Sequence, residues 1–216
     1  MRSPSLKDLD AARIIAITIA TASILLIALA AVTANTGTGS VSSDWNGTTI
    51  MREQTEKQGA ETDIIVRINA YKKLSENRTV VVIVSPNRSY SERETKIVRQ
   101  FVVNGGTLVI AEDFGQNKNQ LLESIGARTR FRNGVLRDER FYQQSPVFVR
   151  VKSTDAGHQL KKTDGIVLNY GTALRPNGAI VLANTSSFAY LDKNFNHRID
   201  ENESPSSYPV ATVEKV

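Results

Sequence analysis

The sequence predicts an α/β protein in which an N-terminal transmembrane helix precedes a domain with a mainly parallel β-sheet and a β-rich C-terminal part. Three observations favour this fold class. A long apolar run lies near the N-terminus, helical and strand-like segments alternate from residue 48 to residue 126, and short strand-like segments follow. Alternation of this kind is typical of parallel sheets with right-handed crossovers.

The apolar run extends from Ile14 to Val32 and contains no charged residue. As a helix, its nineteen residues would reach roughly 28 Å, close to the hydrocarbon thickness of a bilayer. Arg2, Lys7 and Arg13 precede the run, and the next basic residue is Arg52. This bias predicts a single-pass protein of the cell membrane with a cytoplasmic N-terminus and the remainder outside.

A cleaved signal peptide is the competing interpretation, because Val32-Thr33-Ala34 resembles a small-residue cleavage site. Both interpretations export the domain. The first also makes the lipid bilayer a partner through residues 14–32. The predicted organisation is a cytoplasmic N-terminus (1–13), a transmembrane helix (14–32), a flexible linker (33–43) and an extracytoplasmic domain (44–216).

The first half of the domain shows helix and strand signals in turn. Charges at helical spacing predict a helix over 48–58, and DIIVRI over 63–68 is strand-like. A short helix is predicted over 70–76. TVVVIVS over 79–85 is a continuous β-branched run, which is typical of a strand covered on both faces.

The best-defined helix follows Ser91, which forms a capping box with Glu94, and the pair Gly105-Gly106 ends it. TLVIA over 107–111 predicts another buried strand, and a helix is predicted over 119–125. Short strands are then predicted over 147–151, 166–170 and 179–183. YPVATVEKV also resembles a strand, and because the chain stops there we expect a truncated form of a longer protein.

The composition excludes several kinds of chemistry. The chain has no cysteine and two histidines, so disulfides, thiolate metal sites and cysteine nucleophiles are excluded, and a histidine-based triad has little material. The net charge of +5 is scattered along the chain. A nucleic-acid binder would concentrate its positive charge on one face, so we expect no nucleic-acid partner.

Three segments resemble a known family: SDWNGT over 43–48, SPNRSYSERE over 85–94 and FVVNGGTLVIAEDFGQNKNQLLESIGA over 101–127. They are similar to the uncharacterised domain of unknown function 4350 family (DUF4350), found in archaea and bacteria and usually behind a membrane helix. The resemblance implies a flavodoxin-like fold related to class I glutamine amidotransferase-like (GATase-like) domains, and it brings no established activity.

A ligand site is predicted where strands of a parallel sheet end in polar residues. Ser85 ends one strand, and Asp113 follows another. If the sheet is parallel, these two and the amides of Asn117 and Asn119 meet at one edge. Such a set suits a sugar or another hydroxylated ligand. The alternative is that Asp113 and Asn117 cap the next helix and close its loop.

The sharpest local motif is DKNFNHRIDENE over 192–203, which matches the ligand spacing of a twelve-residue calcium loop. Position 6, where glycine is expected, is His197. We predict a structural Ca²⁺ site, and the alternative is a solvated acidic turn. The predicted ligands are Asp192, Asn194, Asn196, the Arg198 carbonyl, Asp200 and Glu203.

No complete catalytic set is present, because no glycine elbow surrounds Ser85 and neither histidine lies in a partner motif. The sequence therefore predicts a non-enzymatic extracytoplasmic domain that binds a protein or glycan, as an accessory of an envelope or transport complex. The alternative is a hydrolase of envelope glycans that acts through Asp113.

Overall fold

The computed structural model describes residues 24–28, 49–84, 89–113, 119–157 and 166–216. The chain divides into two compact units, Met1–Ala111 with Val216 and Glu112–Lys215. Within the described residues the helices are few and short. They are α1 (Thr49–Lys57), α2 (Glu92–Val103) and α3 (Asn119–Ile125), with 3-10 helices at Ile68–Lys73 and Glu76–Arg78.

The first unit contains a four-stranded parallel sheet with the strand order β2-β1-β3-β4. Strands β3 and β4 pair in parallel, with Val82 opposite Val109. Five of the six residues of β3 are buried, as its continuous β-branched sequence predicts. The bounds of the strands are β1 (Ile24–Ala28), β2 (Thr62–Ile65), β3 (Thr79–Val84) and β4 (Thr107–Ala111).

The predicted transmembrane helix is wrong for the part of it that is described. Ile24–Ala28 lies inside the predicted span and forms β1, an interior strand paired with β2 and β3. An interior strand is apolar along its whole length, so periodicity alone does not distinguish its sequence from that of a buried helix. The rest of 14–32 and the linker predicted over 33–43 lie outside the described residues. None of the described helices has the length and apolar content needed to cross a bilayer.

The predicted helix after Ser91 is confirmed together with its capping box. The Ser91 hydroxyl accepts the Glu94 N–H at 3.4 Å, and the Glu94 carboxylate accepts the Ser91 N–H at 2.8 Å. The buried side of α2 includes Phe101, which packs edge-on against Tyr71 with the ring centroids 5.7 Å apart. The short helix predicted over 70–76 begins earlier, as the 3-10 helix at Ile68–Lys73.

The second unit is built on short strands that pair antiparallel. One sheet contains β13, β11, β8 and β7, with β9 also paired to β8, and two ribbons pair β10 with β5 and β12 with β6. The strands are β5 (Arg130–Phe131), β6 (Val135–Asp138), β7 (Tyr142–Gln143), β8 (Ser145–Ser153), β9 (Ile166–Val167), β10 (Leu174–Arg175), β11 (Ile180–Asn184), β12 (Ala189–Asp192) and β13 (Pro209–Val213).

The predicted flavodoxin-like, mainly parallel sheet is therefore wrong. Of the nine strand pairings among the described residues, three are parallel and six are antiparallel. The physical reason lies in the connections. A parallel pair needs a crossover of about a dozen residues or more, and the described helix of the second unit, α3, has only seven residues. The predicted β-rich C-terminal part is present.

The core of the second unit packs around the β6–β12 ribbon. Leu136 of β6 pairs with Leu191 of β12, and both are buried in a cluster that includes Val149 and Tyr208. The ribbon has two ends. Val135 faces Asp192 at one end, and Asp138 faces Ala189 at the other. This register places the loop that follows Asp192 at one end of the ribbon and the loops around Phe141 and Phe188 at the other.

Candidate metal-binding loop

The loop over 192–203 begins and ends with buried carboxylates. Asp192 is the last residue of β12 and is 1% exposed, and Glu203 is 2% exposed. The residues between them are mostly exposed. The apolar β12, whose Tyr190 and Leu191 are buried, holds Asp192 in the core. A buried carboxylate costs free energy unless cations or N–H donors surround it, so the donors around Asp192 and Glu203 decide what this loop can bind.

The backbone already has the turn that a calcium loop requires at position 6. His197 has a φ of 67°, in the left-handed region that glycine usually occupies. The Asp192 carboxylate accepts the His197 N–H at 3.0 Å and the Asn196 N–H at 3.2 Å. The missing glycine therefore does not prevent the turn. It adds a strain of roughly 1 kcal/mol, which the rest of the loop offsets.

Glu203 closes the loop from its other end. One carboxylate oxygen accepts the Lys193 N–H at 2.7 Å, and the other lies 3.4 Å from the Asp200 N–H. Within the described part of the chain, no cationic side chain forms an ion pair with Glu203. Glu203 is thus a buried acid held by one good hydrogen bond and one long one.

The middle of the loop is a ring of amides around Asp200. One oxygen of Asp200 accepts the side-chain N–H groups of Asn194 at 2.6 Å and Asn196 at 2.9 Å. A half-turn about the Cβ–Cγ bond of an asparagine exchanges its NH₂ group for its carbonyl oxygen. The same three side chains can therefore present oxygens inward, which is the donor set that Ca²⁺ prefers.

Arg137, which the sequence analysis did not single out, contacts the loop from β6. Its Nε lies 3.0 Å from Asp192, and the two side chains are 11% and 1% exposed. The start of β6 also lies close to the loop. A Cβ atom at Gly134, whose φ is +115°, would lie 2.7 Å from the Asp192 carbonyl oxygen. Glycine is needed here for both reasons, and Arg137 could be found only from the β6–β12 pairing.

The residues fit a calcium ion in type, number and order, but not as a cluster of carboxylates alone. Among the residues that the structure describes, no group of three or more His, Cys, Asp and Glu side chains is gathered as a metal site by itself. Any metal here would also need the two asparagine amides and the Arg198 carbonyl. A cleft of about 450 Å³ opens beside the loop, lined by Lys193, Asn194, Asp200, Glu201, Asn202 and Glu203.

Of the four residues predicted to bind a ligand, Ser85 and Asn117 lie outside the described residues. Asn119 begins α3, and its amide group makes two hydrogen bonds to the backbone of Phe131, donating at 2.9 Å and accepting at 2.8 Å. This arrangement favours a loop-closing role for Asn119. Asp113 precedes the undescribed residues 114–118 and has an interaction partner. The ligand site and the hydrolase alternative stay predictions.

The second unit contains another buried acid, Asp138, whose structural role the sequence did not reveal. Asp138 is 0% exposed. Its carboxylate accepts the backbone N–H groups of Arg140 at 2.9 Å and Phe141 at 2.8 Å, together with the Ser186 hydroxyl at 2.5 Å. The sequence signal was weak, because an aspartate at the end of a four-residue strand resembles a loop residue.

Comparison with known proteins gives a family and a fold. The model of the family described as "Domain of unknown function (DUF4350)" matches residues 40–215. Among curated proteins, none matches the chain in sequence.

The solved structures that are similar to this chain include the following two. The "mmIFT52 N-terminal domain" has a TM-score of 0.53 at 17% identity, with 79% of this chain and 81% of that chain covered. A ThuA-like protein from Bacteroides uniformis has a TM-score of 0.52 at 17% identity, with 89% and 78% covered. At this identity, both likenesses concern the fold alone.

Proposed function

The chain belongs to the DUF4350 family, and we propose that it is a non-catalytic binding protein whose second unit is stabilised by a structural Ca²⁺ in the loop over 192–203. The observation that carries this proposal is the state of Glu203. Its carboxylate is 2% exposed, it has no cationic partner among the described residues, and it lies at the position where a calcium loop has its bidentate acid.

Electrostatics supports a divalent cation at this place. The loop over 192–203 contains four acidic and two basic side chains, and two of the acids are buried. Arg137 offsets the charge of Asp192, whereas among the described residues Glu203 has backbone N–H groups as its only partners. A cation coordinated by Glu203, Asp200 and the asparagine oxygens would remove this cost.

The composition of the loop also indicates the affinity and the location. Two of its side-chain ligands, Asn194 and Asn196, are neutral, which weakens calcium binding toward the range of about 10⁻⁴ to 10⁻³ M that extracellular modules show. A site of this affinity fills only where calcium is near millimolar. The proposal therefore places the domain outside the cytoplasm, where a protein or glycan partner would be met.

Thermal unfolding of the purified full chain tests the calcium site. After removal of metal with a chelator, calcium at ten times its Kd should add about 1.4 kcal/mol to the free energy of unfolding. We expect Tm to rise by about 3 to 8 °C, and to rise much less with the same concentration of Mg²⁺, which demands a smaller octahedral site.

Two glutamate-to-glutamine variants of the loop provide a matched comparison of the calcium response. Glu203→Gln should abolish the calcium-dependent rise in Tm. Glu201→Gln, an exposed acid of the same loop outside the ligand positions, should keep it. An unchanged Tm of the wild-type chain in 5 to 10 millimolar calcium, or equal responses of the two variants, would contradict the proposal.

The binding role is tested separately with a panel of glycans, scored for binding and for turnover. The proposal predicts binding without turnover. Turnover that Asp113→Asn abolishes would replace the proposed function with the hydrolase alternative. The glycan measurement does not depend on the metal, so it stays informative even if calcium does not change Tm.

A further inference from the structure

An exposed cluster of side chains that the proposed function does not use lies at one end of the β6–β12 ribbon, opposite the end that carries the loop over 192–203. We call it the aromatic–basic patch, and it consists of Arg140, Phe141, Lys152 and Phe188. Phe141 and Phe188 are each 39% exposed, and both cations are exposed. Two phenylalanines on neighbouring loop tips are costly to leave in water, which makes this patch a candidate interaction surface.

The four side chains form a continuous stack. The rings of Phe141 and Phe188 have centroids 6.0 Å apart with an angle of 27° between their planes. The Arg140 guanidinium lies 4.1 Å from the Phe188 centroid, and the Lys152 ammonium lies 5.4 Å from the Phe141 centroid. Each ring is therefore in contact with a cation and with the other ring.

The patch is held in shape by one buried acid. Asp138 accepts the backbone N–H groups of Arg140 and Phe141, and it also accepts the Ser186 hydroxyl. The oxygen of Ser186 in turn accepts the Phe188 N–H at 3.0 Å. Both loop tips are thus fixed before any partner arrives, which reduces the entropy that binding would cost.

The chemistry of the patch selects an anionic partner. Arg140, Lys152 and the adjacent Arg150 are exposed. Of the two neighbouring acids, Asp138 is buried beneath the patch and Glu139 accepts a hydrogen bond of 3.4 Å from Tyr190. Burial and the nearby Glu139 carboxylate together raise the pKa of Tyr190 to about 12, so this donor keeps its proton at physiological pH. The patch is left with an excess of positive charge.

The geometry distinguishes between kinds of anionic partner. Nucleic-acid bases and sugar rings bind by stacking on the faces of aromatic rings, and here a cation already lies over each ring. The ring edges remain available for insertion among lipid tails, while the cations lie at the level of lipid phosphates. We propose that the aromatic–basic patch docks on the surface of an anionic phospholipid bilayer.

Vesicle binding tests this proposal with the full chain. The measured quantity is the ratio of the partition coefficients for vesicles with 30% phosphatidylglycerol in phosphatidylcholine and for pure phosphatidylcholine. Binding to pure phosphatidylcholine measures every contribution that does not depend on lipid charge, so the ratio isolates the contribution of charge. The buffer contains EDTA, which makes the result independent of the calcium loop and excludes calcium bridges to lipid.

Each cation close to an anionic surface changes the partition coefficient by about fivefold. The double variant Arg140→Gln/Lys152→Gln should therefore lower the ratio by about 25-fold. The control variant Lys96→Gln/Arg99→Gln removes two exposed cations from α2 and should leave the ratio within about twofold. A second variant, Phe141→Ser/Phe188→Ser, keeps the charges and should weaken binding to anionic vesicles by about tenfold or more.

Three results would overturn the proposal, provided that the variants keep the Tm of the wild type. The first is a ratio that the patch variants do not change. The second is an equal loss in the Lys96 and Arg99 control. The third is tighter binding to a single-stranded oligonucleotide than to anionic vesicles with the same dependence on Arg140 and Lys152, which would assign the patch to nucleic acid instead.

Discussion

Removing the carboxylate of Asp138 should strongly destabilise the second unit. The side chain is 0% exposed and accepts hydrogen bonds from Arg140, Phe141 and Ser186. The variant Asp138→Ala would leave these three donors without their acceptor, at a position where the carboxylate itself is fully buried. The loss follows from the cost of unsatisfied buried donors.

The magnitude can be worked out from these contacts. A hydrogen bond to a charged group contributes about 1.5 kcal/mol, and three of them give a loss of about 4.5 kcal/mol in the free energy of unfolding. For a unit of roughly 100 residues, this corresponds to a fall in Tm of about 15 to 25 °C. Asp138→Asn keeps the size and one acceptor oxygen, so it should lose about half as much.

Urea denaturation followed by far-UV circular dichroism measures the loss, because the sequence of the second unit, Glu112–Lys215, has no tryptophan to report by fluorescence. Hydrogen exchange of the 139–149 peptide reports the loop directly and should accelerate in Asp138→Ala. The matched control is Glu139→Ala, an exposed neighbour that should change stability by less than about 0.5 kcal/mol. A loss below about 1 kcal/mol for Asp138→Ala would refute this account of the Asp138 network.

Three further predictions concern other contacts. Burial opposes ionisation of Glu214, but hydrogen bonds from Thr129 and Arg128 outweigh it and lower the pKa of the Glu214 carboxyl group. Glu214→Gln should therefore lower the free energy of unfolding by about 1 to 2 kcal/mol at pH 7. Urea titrations at pH 7 and pH 3 should show that this difference disappears as the pH falls through the lowered pKa. Ser91→Ala removes the acceptor of a capping box, so urea denaturation should show a loss of about 1 kcal/mol. The Tyr71 hydroxyl is buried without a hydrogen-bond partner among the described residues, so Tyr71→Phe should leave Tm unchanged or raise it, and a fall of several degrees would reveal a partner.

Local signals in the sequence were sufficient where the structure depends on neighbours along the chain. Ser91 and Glu94 are three residues apart, and their reciprocal hydrogen bonds form as predicted. The apolar runs that predict strands over 79–85 and 107–111 form β3 and β4, and the predicted helix α2 lies between them in the sequence. The spacing predicted for a calcium loop also lies within twelve consecutive residues, and calcium binding there stays a prediction.

The parts that could not be predicted depend on distant pairing. The ILLIA run over 24–28 is apolar enough for either a helix or an interior strand, and only its pairing with β2 and β3 decides. The strands β6 and β12 have four residues each, too few to show a period. Their register brings Arg137 to Asp192, fifty-five residues apart in sequence. Neither the ion pair nor the aromatic–basic patch has a local signature.

The buried acids at the two ends of the β6–β12 ribbon differ in how many close hydrogen-bond donors they have. This difference determines at which end a cation would stabilise the chain. Asp138 at one end has three close donors. Asp192 at the other end also has three, including the Arg137 guanidinium. Glu203 has one close donor and one at 3.4 Å, although it is almost as buried. A cation would therefore stabilise the chain mainly through Glu203, and only at this end of the ribbon.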